Sequence, residues 1–391
     1  MQLAHSGGQS TVKCSLLKCN MSVNNKQKKI IIFNSYGVKT GGGSQIQAGL
    51  QQVVSKYIPC ADVQILSLVK NTGRITSYLQ SFLNGFKCYR KDISADLFIL
   101  QSYLDPGMIV LGTLARKRRT PYILIPGGDL VPSSELFFKV RNSGLKWTFW
   151  LLFGKYLVNN ASAVIVTSEL EKQRLIKVGA NPKRFHIIPN SLQPQFYQEA
   201  VEYLQISSEP ASPQFVLWLG RISDEKGLLF LVECWKRVVS TCPQAKLFLV
   251  GPADHQGAFL KLRKSVVRLG LMDSIRFLPW VDEQRKIELL SQARCLVLPS
   301  YCESFGLTAM EAIVMRTPVI ASTGTPWPQI NDGAGSWLAH DQGLWVSAMV
   351  RYLSSPTKQY IDEEIVARLL LPYEEPVILR KWGAVLKSAN I

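Results

Sequence analysis

Four charged side chains carry most of the chemistry this sequence can do: Arg221, Lys226, Glu303 and Glu311. The acidic pair belongs to the run Glu303-Ser304-Phe305-Gly306-Leu307-Thr308-Ala309-Met310-Glu311, which follows the apolar stretch Cys295-Leu296-Val297-Leu298-Pro299. That stretch reads as a buried parallel strand, and 307–315 reads as a helix stopped by Thr317-Pro318. Glu303 then sits in a strand-to-helix loop, with Glu311 two turns further along. Ser304, Phe305 and Gly306 lie at the helix start, where outward-pointing backbone N–H groups suit a phosphate. Carboxylates accept paired hydrogen bonds from vicinal hydroxyls. A ligand carrying both hydroxyls and phosphates, such as a nucleotide sugar, meets both demands. Taken singly, Glu303 reads as an ordinary loop residue and Glu311 as an exposed helix residue. Arg221 and Lys226 lie in Gly220-Arg221-Ile222-Ser223-Asp224-Glu225-Lys226-Gly227, between the strand Phe215-Val216-Leu217-Trp218-Leu219 and a helical pattern over 228–239. Two cations in one such loop can grip a diphosphate, and a solvated surface pair is the other reading.

Positioning these groups takes a large scaffold. The chain has 391 residues, enough for two domains rather than one core. Apolar residues make up 47% and charged residues 19%, a globular balance. No apolar run reaches the ~18 residues of a spanning helix. Net charge is +17 and uneven: residues 1–200 hold 25 Lys/Arg against 9 Asp/Glu (+16), and residues 201–391 hold 20 against 19 (+1). A basic half beside a neutral one points to an acidic partner for the first half, either nucleic acid or an anionic membrane surface. No nucleic-acid motif accompanies the charge, so the membrane surface is the expected partner and nucleic acid is not. The eight cysteines, at 14, 19, 60, 88, 234, 242, 295 and 302, form no C-x-x-C pair, and there are four histidines. A zinc site is therefore not expected, and a reducing, cytoplasmic location is.

In chain order, residues 1–28 lack the apolar core of a signal peptide and read as a disordered lead-in. Strands are expected at 29–34, 63–69, 96–102, 121–126, 163–168 and 185–190. After the first comes Gly41-Gly42-Gly43-Ser44, then a helical pattern over 45–57. Strand, glycine-rich loop and helix make the opening of a doubly wound unit, in which Gly42 and Gly43 let the backbone pass close to a ligand; a plain turn is the alternative. Met108 to 115 reads as a helix ending in Arg116-Lys117-Arg118-Arg119, four cations where a helix cap needs fewer, so this run reads as one part of a surface for anionic head groups or acceptor. Asp129, in Gly127-Gly128-Asp129-Leu130, reads either as a sugar contact or as a turn residue. Residues 137–147 alternate basic and aromatic side chains and suit a membrane interface, while 150–158 reads as a core helix. Residues 192–213 are rich in Gln, Pro, Ser and Glu and read as a linker between domains 29–191 and 214–376. A final helical pattern, 377–391, is expected to cross back to the first domain.

The nine residues from Glu303 to Glu311 resemble the E-x7-E motif of the retaining family 4 glycosyltransferases, down to the internal Phe-Gly-Leu and Met-Glu. Gly220 to Gly227 resembles the same family's G-R-x-x-x-x-K-G. The segments Thr167-Ser168-Glu169 and Ile188-Pro189-Asn190 resemble the end of its first domain, and Thr325-Pro326-Trp327 resembles a variant found in exopolysaccharide and lipopolysaccharide transferases. The resemblance implies an α/β protein of the GT-B fold, two Rossmann-like doubly wound domains facing a cleft. It implies a hexosyltransferase with a UDP- or GDP-linked sugar donor, no cofactor and no metal. Arg221 and Lys226 would bind the donor pyrophosphate and Glu303 a hydroxyl of the donor sugar. Gly42, Gly43, Gly220, Ser304, Phe305, Gly306 and Leu307 would line the donor, and Glu311 would hold its ribose. The acceptor would be a saccharide or lipid-linked saccharide in cell-surface polysaccharide synthesis, with the protein peripheral on the inner face of the cytoplasmic membrane. Where the family often has histidine, this chain has Gly127. That departure keeps a second reading open, a catalytically inactive nucleotide-sugar-binding or scaffold protein of the same fold.

Overall fold

The computed structural model describes residues 28–34, 61–68, 74–91, 93–102, 104–126, 147–191, 193–206, 215–253 and 256–388. Its first half alternates β1 (Lys29–Asn34), β2 (Asp62–Ser67), α1 (Arg74–Arg90), β3 (Leu97–Gln101), α2 (Pro106–Lys117) and β4 (Tyr122–Ile125). A π-helical turn (Trp150–Gly154) then runs into α3 (Lys155–Asn160), followed by β5 (Ala163–Val166), α4 (Glu169–Lys177), β6 (Phe185–Ile187) and α5 (Pro194–Ile206). The second half comprises β7 (Phe215–Leu219), α6 (Leu228–Thr241), β8 (Lys246–Val250), α7 (Gln256–Arg268), β9 (Ile275–Leu278), α8 (Glu283–Gln292), β10 (Cys295–Leu298) and α9 (Leu307–Val314). It closes with β11 (Val319–Ser322), β12 (Gly335–Leu338), α10 (Gln342–Leu353), α11 (Glu363–Leu370) and α12 (Glu375–Ser388).

The strands form two parallel six-stranded sheets, ordered β2-β1-β3-β4-β5-β6 and β12-β11-β10-β7-β8-β9. Both are the open, doubly wound kind, with apolar cores on each face. Continuous runs such as Ile30-Ile31-Ile32-Phe33 and Cys295-Leu296-Val297-Leu298 suit that setting, because each strand is covered on both sides. Read from β9, the second sheet follows the order third, second, first, fourth, fifth, sixth. Its direction of growth reverses between β7 and β10, which is where such sheets leave a crevice beyond the carboxyl ends of the strands.

The first domain's helices are set by specific local chemistry. Asp105 caps α2 by accepting N–H bonds from Gly107 (2.8 Å) and Met108 (3.3 Å), with Pro106 at the first helical position. The α1 and α2 backbones touch where glycines leave room: a Cβ on Gly85 would lie 2.8 Å from the Gly107 carbonyl oxygen. In α12, Ile378, Leu379, Trp382, Val385 and Leu386 pack under the first sheet against Ile30, Ile32, Leu97 and Ile99, so the chain's last helix covers the first domain.

Residues 192–213, expected to form an irregular linker, contain α5 over thirteen residues; Phe196 and Ala200 are buried in the second domain's core. Phe196, Ala200, Tyr203 and Leu204 fall on one helical face against the core, but the Gln, Pro, Ser and Glu of the wider segment masked that pattern. The core reading of 150–158 holds on one side: Trp150, Leu157 and Val158 are buried, whereas Leu151, Leu152, Phe153 and Tyr156 are exposed. The lead-in 1–27, Gly42, Gly43, Asp129 and most of the basic-aromatic segment 137–147 lie outside the described residues. Among the described residues, no helix is long and apolar enough to cross a membrane.

Candidate functional site

The loops after β7 and β10 meet at the reversal point of the second sheet. Gly227 starts α6 in the left-handed conformation, φ 69°, and a Cβ there would fall 1.9 Å from the Pro299 carbonyl oxygen. Gly251, φ 135°, makes the same approach to the Gly220 carbonyl, with 1.9 Å for its hypothetical Cβ. Only glycine permits backbones this close. These contacts bring the turn Asp224–Lys226 against the strand-to-helix loop that carries Glu303, and the Tyr301 N–H donates to the Glu225 carbonyl at 2.8 Å.

Lys226 Nζ lies 2.9 Å from Oε1 and 2.7 Å from Oε2 of Glu303, and each side chain is 19% exposed. The loop beneath is fixed by its own bonds. The Glu303 N–H donates to Gly324 O at 3.0 Å, and the Gly324 N–H donates to Ser322 Oγ at 3.2 Å. Buried Trp327 packs on Phe305 and Tyr373 and donates its indole N–H to Phe305 O. Gly306, φ 83°, begins α9 without a side-chain cap; a Cβ there would press on Glu303 Cγ and Trp327 Nε1, both at 3.3 Å. The first N–H groups of α9, from Leu307 onward, thus have no side chain capping them, which leaves a helix start suited to an anion. Ser304 supplies a carbonyl used by the other domain. Arg221 is exposed on the same loop as Lys226.

Glu311 is buried in α9, contrary to the exposed position it would hold on an ordinary surface helix. Its Oε1 is 2.7 Å from Lys286 Nζ of α8, which also lies 2.8 Å from Glu283 Oε1 and 4.7 Å from the centre of the Phe196 ring. Burial pushes the Glu311 carboxyl up, and Lys286 opposes it. Burial also pulls the Lys286 ammonium down, but Glu311 and Glu283 outweigh this and hold it above its ordinary value. Lys286 is absent from the expected site. Asp282 caps α8 visibly in the sequence, but nothing in a single lysine of an amphipathic helix marks it as the partner of a residue 25 positions away.

The first domain reaches this loop through three side chains that the charge pattern did not single out. Ser168 caps α4 by accepting the Glu171 N–H at 3.1 Å, and its hydroxyl donates to Ser304 O at 2.9 Å. Thr167 Oγ1 lies 2.9 Å from both Ser304 O and Glu171 Oε2. Arg174 donates to Glu303 O at 3.1 Å and to Gly324 O at 3.0 Å. The two domains therefore meet on the backbone that holds Glu303. Beside it, burial pushes the Cys302 thiol up to about 11, against the lowering effect of Arg174.

This geometry has counterparts. Residues 213–355 match the family described as glycosyl transferases group 1, and residues 63–191 match the glycosyl transferase 4-like domain. The chain belongs to the group 1, family 4-like glycosyltransferases. A D-inositol 3-phosphate glycosyltransferase 2 of Catenulispora acidiphila is 28% identical over 251 residues, 59% of this chain and 58% of the relative. A D-inositol 3-phosphate glycosyltransferase of Streptomyces griseus is 39% identical over 156 residues, 38% of this chain and 33% of the relative. The chain spans about half the length of the curated relatives it matches. Among solved structures, the sucrose-phosphate synthase of Thermosynechococcus elongatus superposes with a TM-score of 0.73 at 19% identity, covering 92% of this chain and 98% of that one. Anabaena HepE in complex with UDP-glucose superposes with a TM-score of 0.68 at 17% identity, covering 93% and 100%. These neighbours share the GT-B fold, two parallel α/β sheets about a cleft, and this group 1 chain has the same architecture.

Proposed function

We propose that this chain transfers a hexosyl unit from a nucleotide-diphosphate sugar to a hydroxyl of an acceptor, with retention at the sugar's anomeric carbon. The observation that carries the reading is the contact between Lys226 and Glu303, 77 positions apart, at the reversal point of a doubly wound sheet. In the reaction, the bond from the anomeric carbon to the diphosphate oxygen breaks, and a bond to the acceptor oxygen forms on the same face of the ring. The acceptor's proton passes to the departing phosphate. Negative charge grows on that phosphate; Arg221, Lys226 and the uncapped N–H groups of α9 receive it, and no metal ion is needed. An ammonium has three N–H groups, so Lys226 can keep Glu303 aligned with one and turn another to the phosphate. Glu303 holds a hydroxyl of the sugar. Glu311, kept in place by Lys286, accepts from the ribose.

The HepE complexes with UDP and UDP-glucose support a UDP-linked donor over a GDP-linked one. The names of the relatives point to a phosphorylated polyol as acceptor in their reactions, and the basic first half of this chain suits an anionic one. A phosphate-bearing or lipid-linked saccharide in cell-surface polysaccharide synthesis fits, with the protein working at the inner face of the cytoplasmic membrane. The test is a thermal-shift panel of UDP-, GDP- and ADP-sugars, followed by transfer assays. A UDP- or GDP-sugar should raise the unfolding temperature. Glu303→Ala and Lys226→Ala should each lower turnover by about 10²–10³-fold, as loss of one preorganised charge does. If no nucleotide sugar stabilises the fold, the reading fails; if one binds but is never cleaved, the inactive-scaffold reading replaces it.

A further inference from the structure

At the opposite end of the first sheet, under the amino ends of its strands, lies a pocket of 680 Å³ that the donor chemistry does not use. Lys28, Arg116, Arg119 and Arg184 line it, and its one acidic residue, Asp96, already accepts the Lys29 N–H at 2.7 Å. Among the described residues, no carboxylate lies within ion-pair distance of Arg116, Arg119 or Arg184. Neutral groups hold two of them. Arg116 donates to Asn160 Oδ1 and sits 5.2 Å over the Tyr156 ring, and Arg184 donates to Ala161 O at 2.5 Å. Arg119 is the unusual member. It ends α2 with φ 57°, a left-handed conformation that a helix end normally gives to glycine. A strained position filled by a long cation places a third guanidinium at the same pocket. Like charges gathered this way repel until an anion joins them, and planar guanidinium groups match phosphate oxygens in pairs.

We propose that this pocket is a second phosphate-binding site, separate from the donor crevice, that takes a phosphate ester through Arg116, Arg119 and Arg184. The inference is independent of the donor reading. Two sources of such a phosphate fit the surroundings. One is a soluble polyphosphorylated ligand. The other is a phospholipid head group, because exposed Leu151, Leu152 and Tyr156 lie on the π-turn and α3, and Tyr156 stacks under Arg116. The basic run 116–119, read from sequence as an attractor of anions, thereby gains a defined pocket in place of a diffuse surface role.

The test uses the full chain carrying Arg221→Ala and Lys226→Ala, so that the donor loop cannot bind the probe. Sodium tripolyphosphate is titrated at physiological salt, and in parallel vesicles of phosphatidylglycerol or of phosphatidylcholine are sedimented with the protein. Binding should appear in at least one arm and weaken about tenfold or more on adding Arg119→Glu, because each charge-assisted contact is strong. Arg119 makes no side-chain bond within the described structure, so its unfolding temperature should stay put. Lys236→Glu, an equal change of charge on exposed α6 of the other domain, should leave binding intact. Arg119-dependent binding of tripolyphosphate alone assigns the soluble source, and Arg119-dependent retention on phosphatidylglycerol vesicles assigns the lipid. No binding in either arm, or equal weakening by Lys236→Glu, overturns the site. Either result leaves donor transfer by the unmodified chain untouched as a separate question.

Discussion

The two sheets share strand number, direction and winding, yet they place charge in opposite ways. At the carboxyl ends of its strands, the second sheet builds a crevice in which glycine backbones touch and Lys226 closes on Glu303. The first sheet offers that crevice two hydroxyls and one guanidinium, all aimed at main-chain carbonyls. At the amino ends the contrast runs the other way. The first sheet leaves Arg116, Arg119 and Arg184 exposed around an open pocket, whereas the second buries Arg294 and Lys358. One domain fixes chemistry through its backbone, and the other reaches it with side chains, two hydroxyls and one long guanidinium. Perturbing the backbone should therefore cost more than removing the reach.

Gly227→Ala tests the backbone half of that claim and should have the largest effect. A methyl group there meets the Pro299 carbonyl at 1.9 Å and sits at φ 69°. The combined clash and strain should cost ~3 kcal/mol or more, lower the unfolding temperature, and move Lys226 off Glu303 so that donor binding is lost. Gly270 separates the two causes, because it has φ 71° with nothing within 4 Å of its Cβ position. Gly270→Ala should cost only the conformational part, ~1 kcal/mol. Equal losses in the two variants would show that the approach to Pro299 does not hold the crevice together.

Arg174→Met tests the reach. It removes two hydrogen bonds that cross the cleft to Glu303 O and Gly324 O, while keeping most of the side chain's apolar bulk. Two such bonds are worth ~1–3 kcal/mol, so turnover should fall by roughly tenfold or somewhat more. The donor-induced thermal shift should change little, because Arg174 touches the loop's backbone rather than the crevice side chains. A variant with normal turnover would mean that the domains meet on this loop without tuning it.

The same division explains what could be read from sequence. Residues whose spacing is dictated by the backbone left a pattern: Gly220, Lys226 and Gly227 after one apolar strand, and Glu303 and Gly306 after another, with the helix 307–315 found as Leu307–Val314. Parallel strands buried on both faces were visible as uninterrupted apolar runs for the same reason. What escaped depends on distance across the fold. Arg174 meets Glu303 across 129 positions and Lys286 meets Glu311 across 25, and neither pairing leaves any local periodicity. Helix α5 escaped because its core face, Phe196 and Ala200 with Tyr203 and Leu204, lies within a longer segment rich in Gln, Pro, Ser and Glu. The basic run 116–119 was visible as charge, but only the fold shows Arg184, Lys28 and two of its arginines converging.

The last effect concerns a buried cation of the second sheet, and it is a pH effect. Lys358 Nζ donates to Ser291 O and to Thr317 Oγ1 at 3.0 Å, with the Tyr360 ring 4.8 Å away. Burial, aided by the neighbouring Arg294, pulls its ammonium down to about 7 from an ordinary 10.5. Between those values the unfolded chain holds a proton that the folded chain has released. Stability therefore rises with pH across that window, and the full penalty applies below its lower edge. The slope is at most ~1.4 kcal/mol per pH unit. In Lys358→Met that contribution is absent, and the carbonyls of Ser291 and Leu290 lose a donor at every pH, so the difference in slope, not the absolute stability, is the readout. Unfolding temperatures at pH 7 and pH 9 should rise for the wild type relative to Lys358→Met, while Lys286, raised by its carboxylates, contributes equally to both proteins and cancels. Identical slopes would mean that Lys358 is hydrated in the folded chain, and the contrast between a buried and an exposed set of cations would then rest on Arg294 alone.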